Sequence, residues 1–136
     1  MSQRTVLLVD DEQTFLEALE DALLFEKHRV LKARDVSTAL DILKKNHVDL
    51  ITIDIMLSPG PALEATVNSQ LAGVYLCEKV ARDYPLISAF CLSVVNDPNI
   101  IKRVRRTGIP FIRKGETPLR TVLSMINVRL AGIEDF

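Results

Sequence analysis

Residues 49–57 read DLITIDIML, and the character of this stretch decides the fold. Its apolar, β-branched run shows none of the every-second-residue alternation of a strand wetted on one face. Such a run fits a strand covered on both faces, as in a parallel sheet with helices packed above and below. It ends on one carboxylate, Asp54, and a Pro-Gly-Pro turn follows at residues 59–61.

Working outward, strand-like and helix-like segments alternate along the chain. Thr5–Val9 is a short apolar run closed by Asp10 and Asp11. Residues 12–26 carry Phe15, Leu16, Leu19, Leu23 and Leu24 at helical spacing. Arg29–Ala33 predicts a second strand. Asp35 predicts a cap for a helix running to about Lys45, with Ala39, Leu40 and Leu43 inward. Residues 73–84 form a helical pattern around Leu76, Cys77 and Val80, and residues 87–93 predict another buried strand. Asn96-Asp97-Pro98 offers a cap followed by Pro at the first helical position, for a helix ending near Gly108. A short strand is predicted at 109–112. Thr117-Pro118 repeats the cap-plus-Pro signal before a stripe of Leu119, Val122, Leu123, Ile126 and Leu130. Five consecutive βα units imply an α/β chain built on a parallel sheet.

The totals narrow the function classes. A length of 136 residues fits one domain, taken here as 1–136. A net charge of -1 gives no bulk attraction to nucleic acid or membrane. No apolar stretch is long enough to span a bilayer, and the N-terminus does not read as a signal peptide. Cys77 and Cys91 lack metal-ligand spacing and stand in apolar surroundings, so they read as reduced core residues. His28 and His47 stand alone, with no catalytic or metal role assigned. The expected location is cytoplasmic.

In an open parallel sheet, ligands sit at the carboxyl ends of the strands. The residues there are Asp10, Asp11, Arg34, Asp54, Ser93 and Lys114. With the first and third strands adjacent, Asp10, Asp11 and Asp54 would bring three carboxylates together, and such crowding disfavours full ionisation unless a cation is present. Mg²⁺ suits a few carboxylates, waters and a phosphate oxygen. A hydroxyl from Ser93 and a cation from Lys114 complete a set suited to phosphoryl chemistry.

This set resembles the receiver domain of two-component response regulators (CheY-like) over almost the whole chain. The resemblance implies a doubly wound, flavodoxin-like, five-stranded parallel sheet in order 2-1-3-4-5 with five helices. It implies Asp10 and Asp11 as Mg²⁺ ligands, with Asp54 and the backbone carbonyl of Met56 completing the metal shell. Asp54 would accept a phosphoryl group from a phospho-histidine on a sensor histidine kinase or a histidine phosphotransfer protein. Ser93 and Lys114 would hold the phosphoryl oxygens, and Phe111 takes the place of the switch aromatic. Such a protein is no enzyme in the ordinary sense, although it assists its own phosphorylation and dephosphorylation. Its output would be a downstream protein contact or a relay to another histidine. The face of the fourth helix, fifth strand and fifth helix carries output or homodimer contacts in this family. Here the fourth helix bears Lys102, Arg103, Arg105 and Arg106, read either as a solvated face or as a docking patch for an acidic partner. The patch is small for nucleic acid. The chain reads as a stand-alone receiver.

Four departures from the family pattern stand out. Nineteen positions separate Asp54 from Gly73, which makes 57–72 an insertion, read either as a surface loop or as a lid or partner-binding element. Leu63, Val67 and Leu71 could share one helical face within it. Gly115 replaces the usual Pro after the lysine, and one residue fewer separates Gly108 from Lys114. Val94 is larger than the usual residue after Ser93 and would narrow the entrance for a phosphodonor. The alternatives are a receiver-like interaction module that is never phosphorylated, and a Mg²⁺-dependent phosphohydrolase. The second lacks an Asp-x-Asp loop and a substrate cap domain.

Overall fold

The computed structural model describes residues 3–63 and 71–133. In chain order the elements are β1 (Thr5–Val9), α1 (Gln13–Phe25), β2 (Arg29–Ala33), α2 (Val36–Lys45), β3 (Leu50–Ile53), α3 (Ala72–Asp83), β4 (Ser88–Ser93), α4 (Pro98–Arg105), β5 (Phe111–Arg113) and α5 (Leu119–Ala131). All strand pairs are parallel, as the alternation predicts, and the order is β2-β1-β3-β4-β5, as the family resemblance implies.

The unalternating strands supply both faces of the sheet. Leu7, Val9, Ile51, Ile53, Ala89 and Cys91 point into one core with α2, α3 and α4. Val6, Leu8, Leu50, Phe90 and Leu92 point into a second core with α1 and α5. A continuous apolar run is thus an alternating run whose two faces are both dry. Cys77 and Cys91 are buried free thiols in the first core. The neighbouring Cys77 thiol and burial hold Cys91 far above the ordinary thiol range, so it remains an inert S–H.

Several boundaries differ from expectation for local reasons. β5 begins at Phe111 because Ile109 gives its amide to Thr107 Oγ1 and Pro110 has none to give. The fifth helix begins at Leu119 with Pro118 at its cap position, so Thr117 does not cap it; the Thr117 amide instead bonds to the Arg113 carbonyl. Asp97 caps α4 with Pro98 following, and Asp35 caps α2 through the Thr38 amide at 2.7 Å, both as expected. His47 is not solitary: its Nε2 lies 3.0 Å from Asp49, whose other oxygen accepts from the Thr5 amide.

The segment after β3 leaves the sheet along a fixed path. Ser58 and Pro59 carbonyls accept from the Val36 and Ser37 amides, and Ser58 forms a parallel bridge with Asp35. Leu57, Pro59 and Gly60 are buried, while Leu63 and Leu71 pack against the first core. Val67, and with it the proposed helical face, lies outside the described residues.

Where α3 returns to the sheet, Gly73 presses against the strand end. A Cβ there would lie 2.2 Å from both the Asp54 carbonyl oxygen and Ile55 Cα. Both neighbours are backbone and cannot rotate away. Gly73→Ala is expected to lower unfolding free energy by about 3 kcal/mol or more in urea titration, since overpacking here must displace a strand end or a helix.

Candidate functional site

The side chains of interest stand just past the strand ends, yet their amides still belong to the sheet. The Asp10 amide bonds to the Ala33 carbonyl at 3.1 Å, Asp54 to Val9 at 3.0 Å and Lys114 to Ser93 at 3.0 Å. Each side chain thus leaves a backbone fixed by a neighbouring strand. Asp10 and Asp54 are almost wholly buried, and Lys114 is 9% exposed. Asp11 is exposed on the following turn, where its carbonyl accepts from Arg34.

Asp10, Asp11 and Asp54 converge as the sequence predicts. Each places a carboxylate oxygen within 4.8 Å of the others. Three hard oxygen donors at that spacing fit a hard divalent cation. Two carboxylates are steadied by backbone: Asp10 Oδ1 accepts from the Glu12 amide at 2.9 Å, and Asp54 Oδ1 from the Met56 amide at 3.1 Å. Met56 therefore stands next to Asp54 and is about half exposed. Ser93 is fully buried, and its Oγ accepts from the Val95 amide at 3.3 Å. Phe111 is partly buried against the first core, beside Cys91 in register. Val94 and Met56 are the exposed apolar groups beside the site residues, and Val94 is 61% exposed.

Lys114 lies at the centre. Its Nζ is 2.6 Å from Asp10 Oδ2, 2.9 Å from Glu12 Oε1 and 3.4 Å from Asp54 Oδ2. Burial alone would push its pKa down, but the hydrogen bonds to Asp10 and Glu12 and the charges of Asp54 and Asp10 outweigh burial and hold it above the ordinary lysine range. For Asp10 burial wins. It raises the carboxyl to about 6, against the bonds from Lys114 and the Glu12 amide, and the Asp54 charge adds to the rise.

Three contributors escape the sequence reading. Glu12 looks like the first residue of a helix, but it makes no capping bond and its carboxylate goes to Lys114. Phe15, read as a core residue, also lies under the Lys114 ammonium at 4.7 Å from the ring centroid. Gly73 reads only as the start of a helix. Spacing along the chain marks none of these contacts, because each is set by where a side chain turns.

The four basic residues of the fourth helix are all exposed, though Arg103 is tied to Glu78 by two 3.0 Å bonds that join α4 to α3.

An acid whose pKa rises on folding is stabilising as its protonated form. The stability tied to that proton is complete below pH 3.8 and is lost as the pH rises through about 6. Ionised Asp10 therefore weakens the fold at neutral pH. Asp10→Asn is expected to raise stability in EDTA at pH 7.5 by about 1–3 kcal/mol, checked by urea unfolding.

Comparison with known proteins agrees with this geometry. The chain matches the response regulator receiver domain family over residues 6–121. It is 29% identical over 119 residues to response regulator GtcR of Aneurinibacillus migulanus, covering 88% of this chain and 45% of that protein. It is 34% identical over 85 residues to regulatory protein VanR of Enterococcus faecium, covering 60% of this chain and 32% of that protein. The chain thus spans less than half the length of these curated relatives. In fold, it superposes on a CheY-like receiver domain protein from Methanospirillum hungatei JF-1 with a TM-score of 0.81 at 21% identity, covering 96% of this chain and 95% of the other. Family match and strand-end geometry together place this chain in the response regulator receiver domain family.

Proposed function

We propose that Asp54 is the phospho-acceptor of this receiver and that the donor is a phospho-histidine on a sensor histidine kinase or a histidine phosphotransfer protein. The observation that carries the reading is the meeting of Asp54 and Lys114 at 3.4 Å inside a cluster of three carboxylates on a rigid sheet edge. An Asp54 oxygen attacks phosphorus, the bond from phosphorus to the donor nitrogen breaks, and the imidazole leaves with the electron pair and takes up a proton. Asp10, Asp11, Asp54 and the Met56 carbonyl are the residues that would hold Mg²⁺, whose chemistry is to neutralise charge shared by the carboxylates and the phosphoryl oxygens. Ser93 and Lys114 hold those oxygens. Their differential grip on the phosphorylated state sets how far the population shifts toward an active surface around Phe111 and α4.

We assign output to protein contact or phosphorelay in the cytoplasm rather than to turnover of other substrates. Among the described residues no helix is long and apolar enough to cross a membrane. Charge supports an acidic partner: residues 98–136 hold eight Lys or Arg against three acidic residues, Glu116, Glu134 and Asp135. Of these, Lys102 and Arg105 on α4 and Arg106 at its C-cap are exposed to solvent.

Incubation with Mg²⁺ and acetyl phosphate or a phosphorylated histidine donor is expected to add one phosphoryl group by intact mass, and Asp54→Asn to abolish the addition. A protein unmodified by every donor would instead be an interaction module. Val94→Ala opens the rim of the site and is expected to speed labelling by acetyl phosphate about two- to tenfold, a barrier change of about 0.4–1.4 kcal/mol; an unchanged rate would remove Val94 as a constriction.

A further inference from the structure

Lys114 has more partners than a phosphoryl-holding lysine needs. Asp10 and Asp54 belong to the carboxylate cluster, but Glu12 and Phe15 do not. Glu12 occupies the cap position of α1, where a carboxylate gains from the helix N-terminus. It makes no capping bond, and its mostly exposed side chain reaches a lysine whose side chain is only 6% exposed. Phe15, on the first turn of α1, places its ring face 4.7 Å from the same ammonium, within cation–π range. Acid and aromatic together hold Nζ toward the β1–α1 side, closer to Asp10 and Glu12 than to Asp54.

We propose that Glu12 and Phe15 form a holding cradle for the Lys114 ammonium, one that competes with a phosphoryl group on Asp54 for that cation. This rests on the reading of Asp54 as phospho-acceptor. A divalent cation on Asp10, Asp11 and Asp54 would draw on two of the charges that Lys114 now uses. Glu12 and Phe15 lie outside that set and keep their hold. The lysine therefore stays beside the site until phosphoryl oxygens outbid the cradle. Glu12 and Phe15 act through Lys114 and are positioning residues.

The test titrates Mg²⁺-saturated protein with beryllofluoride, a phosphoryl mimic, and follows amide NMR shifts. Glu12→Gln is expected to lower the half-saturating concentration about two- to fivefold, the scale of one partly exposed charge pair. Phe15→Leu, which keeps bulk but loses the ring face, is expected to lower it about twofold or more. Neither effect should persist in a Lys114→Met background. Equal effects with and without Lys114, or no effect at all, would overturn the cradle. A double-mutant cycle of Glu12→Gln and Lys114→Met in urea, run in EDTA and in Mg²⁺, decides the matter without the mimic. A coupling of about threefold or more in the unfolding constant under both conditions supports the cradle, and additivity overturns it. If wild type fails to bind the mimic, or Asp54→Asn binds it equally, the phospho-acceptor reading fails, and the urea cycle still judges the cradle.

Discussion

The constraint on which the rest depends is the hydrogen-bond ladder continuing one residue past β1, β3 and β5. Asp10, Asp54 and Lys114 each keep an amide in the sheet while their side chains leave it. A carboxylate on a free loop would move away from two like charges. A carboxylate on a backbone locked to the next strand cannot, so repulsion must be met by a counter-ion. Order β2-β1-β3-β4-β5 brings the ends of β1 and β3 side by side, and Lys114 arrives from the far edge of the sheet to lie between them.

Lys114 is therefore the internal counter-ion of the carboxylate cluster. Its burial would be unfavourable alone, as would that of the aspartates, but together they offset much of that penalty. The balance is incomplete, as the raised pKa of Asp10 indicates. A site left with excess negative charge and a single shared cation is poised to take up further positive charge. The same excess explains why one lysine serves three carboxylates and still finds an aromatic face beneath it.

Most of this frame was legible in the sequence, because burial on both faces leaves unbroken apolar runs and because strand ends are marked by the residues that follow them. Leu50–Ile53 and Asp54 show both signals at once. The convergence of Asp10, Asp11 and Asp54 followed from the strand order that the family resemblance implies. The destination of Glu12 did not follow, since a glutamate at a helix start reads as dipole complement whichever way its side chain turns. Thr117 carried a capping signal that Pro118 shifted by one residue, and Pro110 delayed β5 for want of an amide. The crowding at Gly73 arises between segments distant in sequence from one another, and no local pattern encodes it.

The anchoring of the long β3–α3 segment has a further consequence. Its entry is pinned by Ser58 and Pro59 to the start of α2, and its exit by the Gly73 amide to the Ile55 carbonyl at 3.1 Å. With both ends clamped, the strand end that carries Asp54 is insulated from the length of chain between them, and the entropy of closing that chain grows only slowly as residues are added. The two clamps thus separate the geometry of the sheet edge from the length of the connection that follows it.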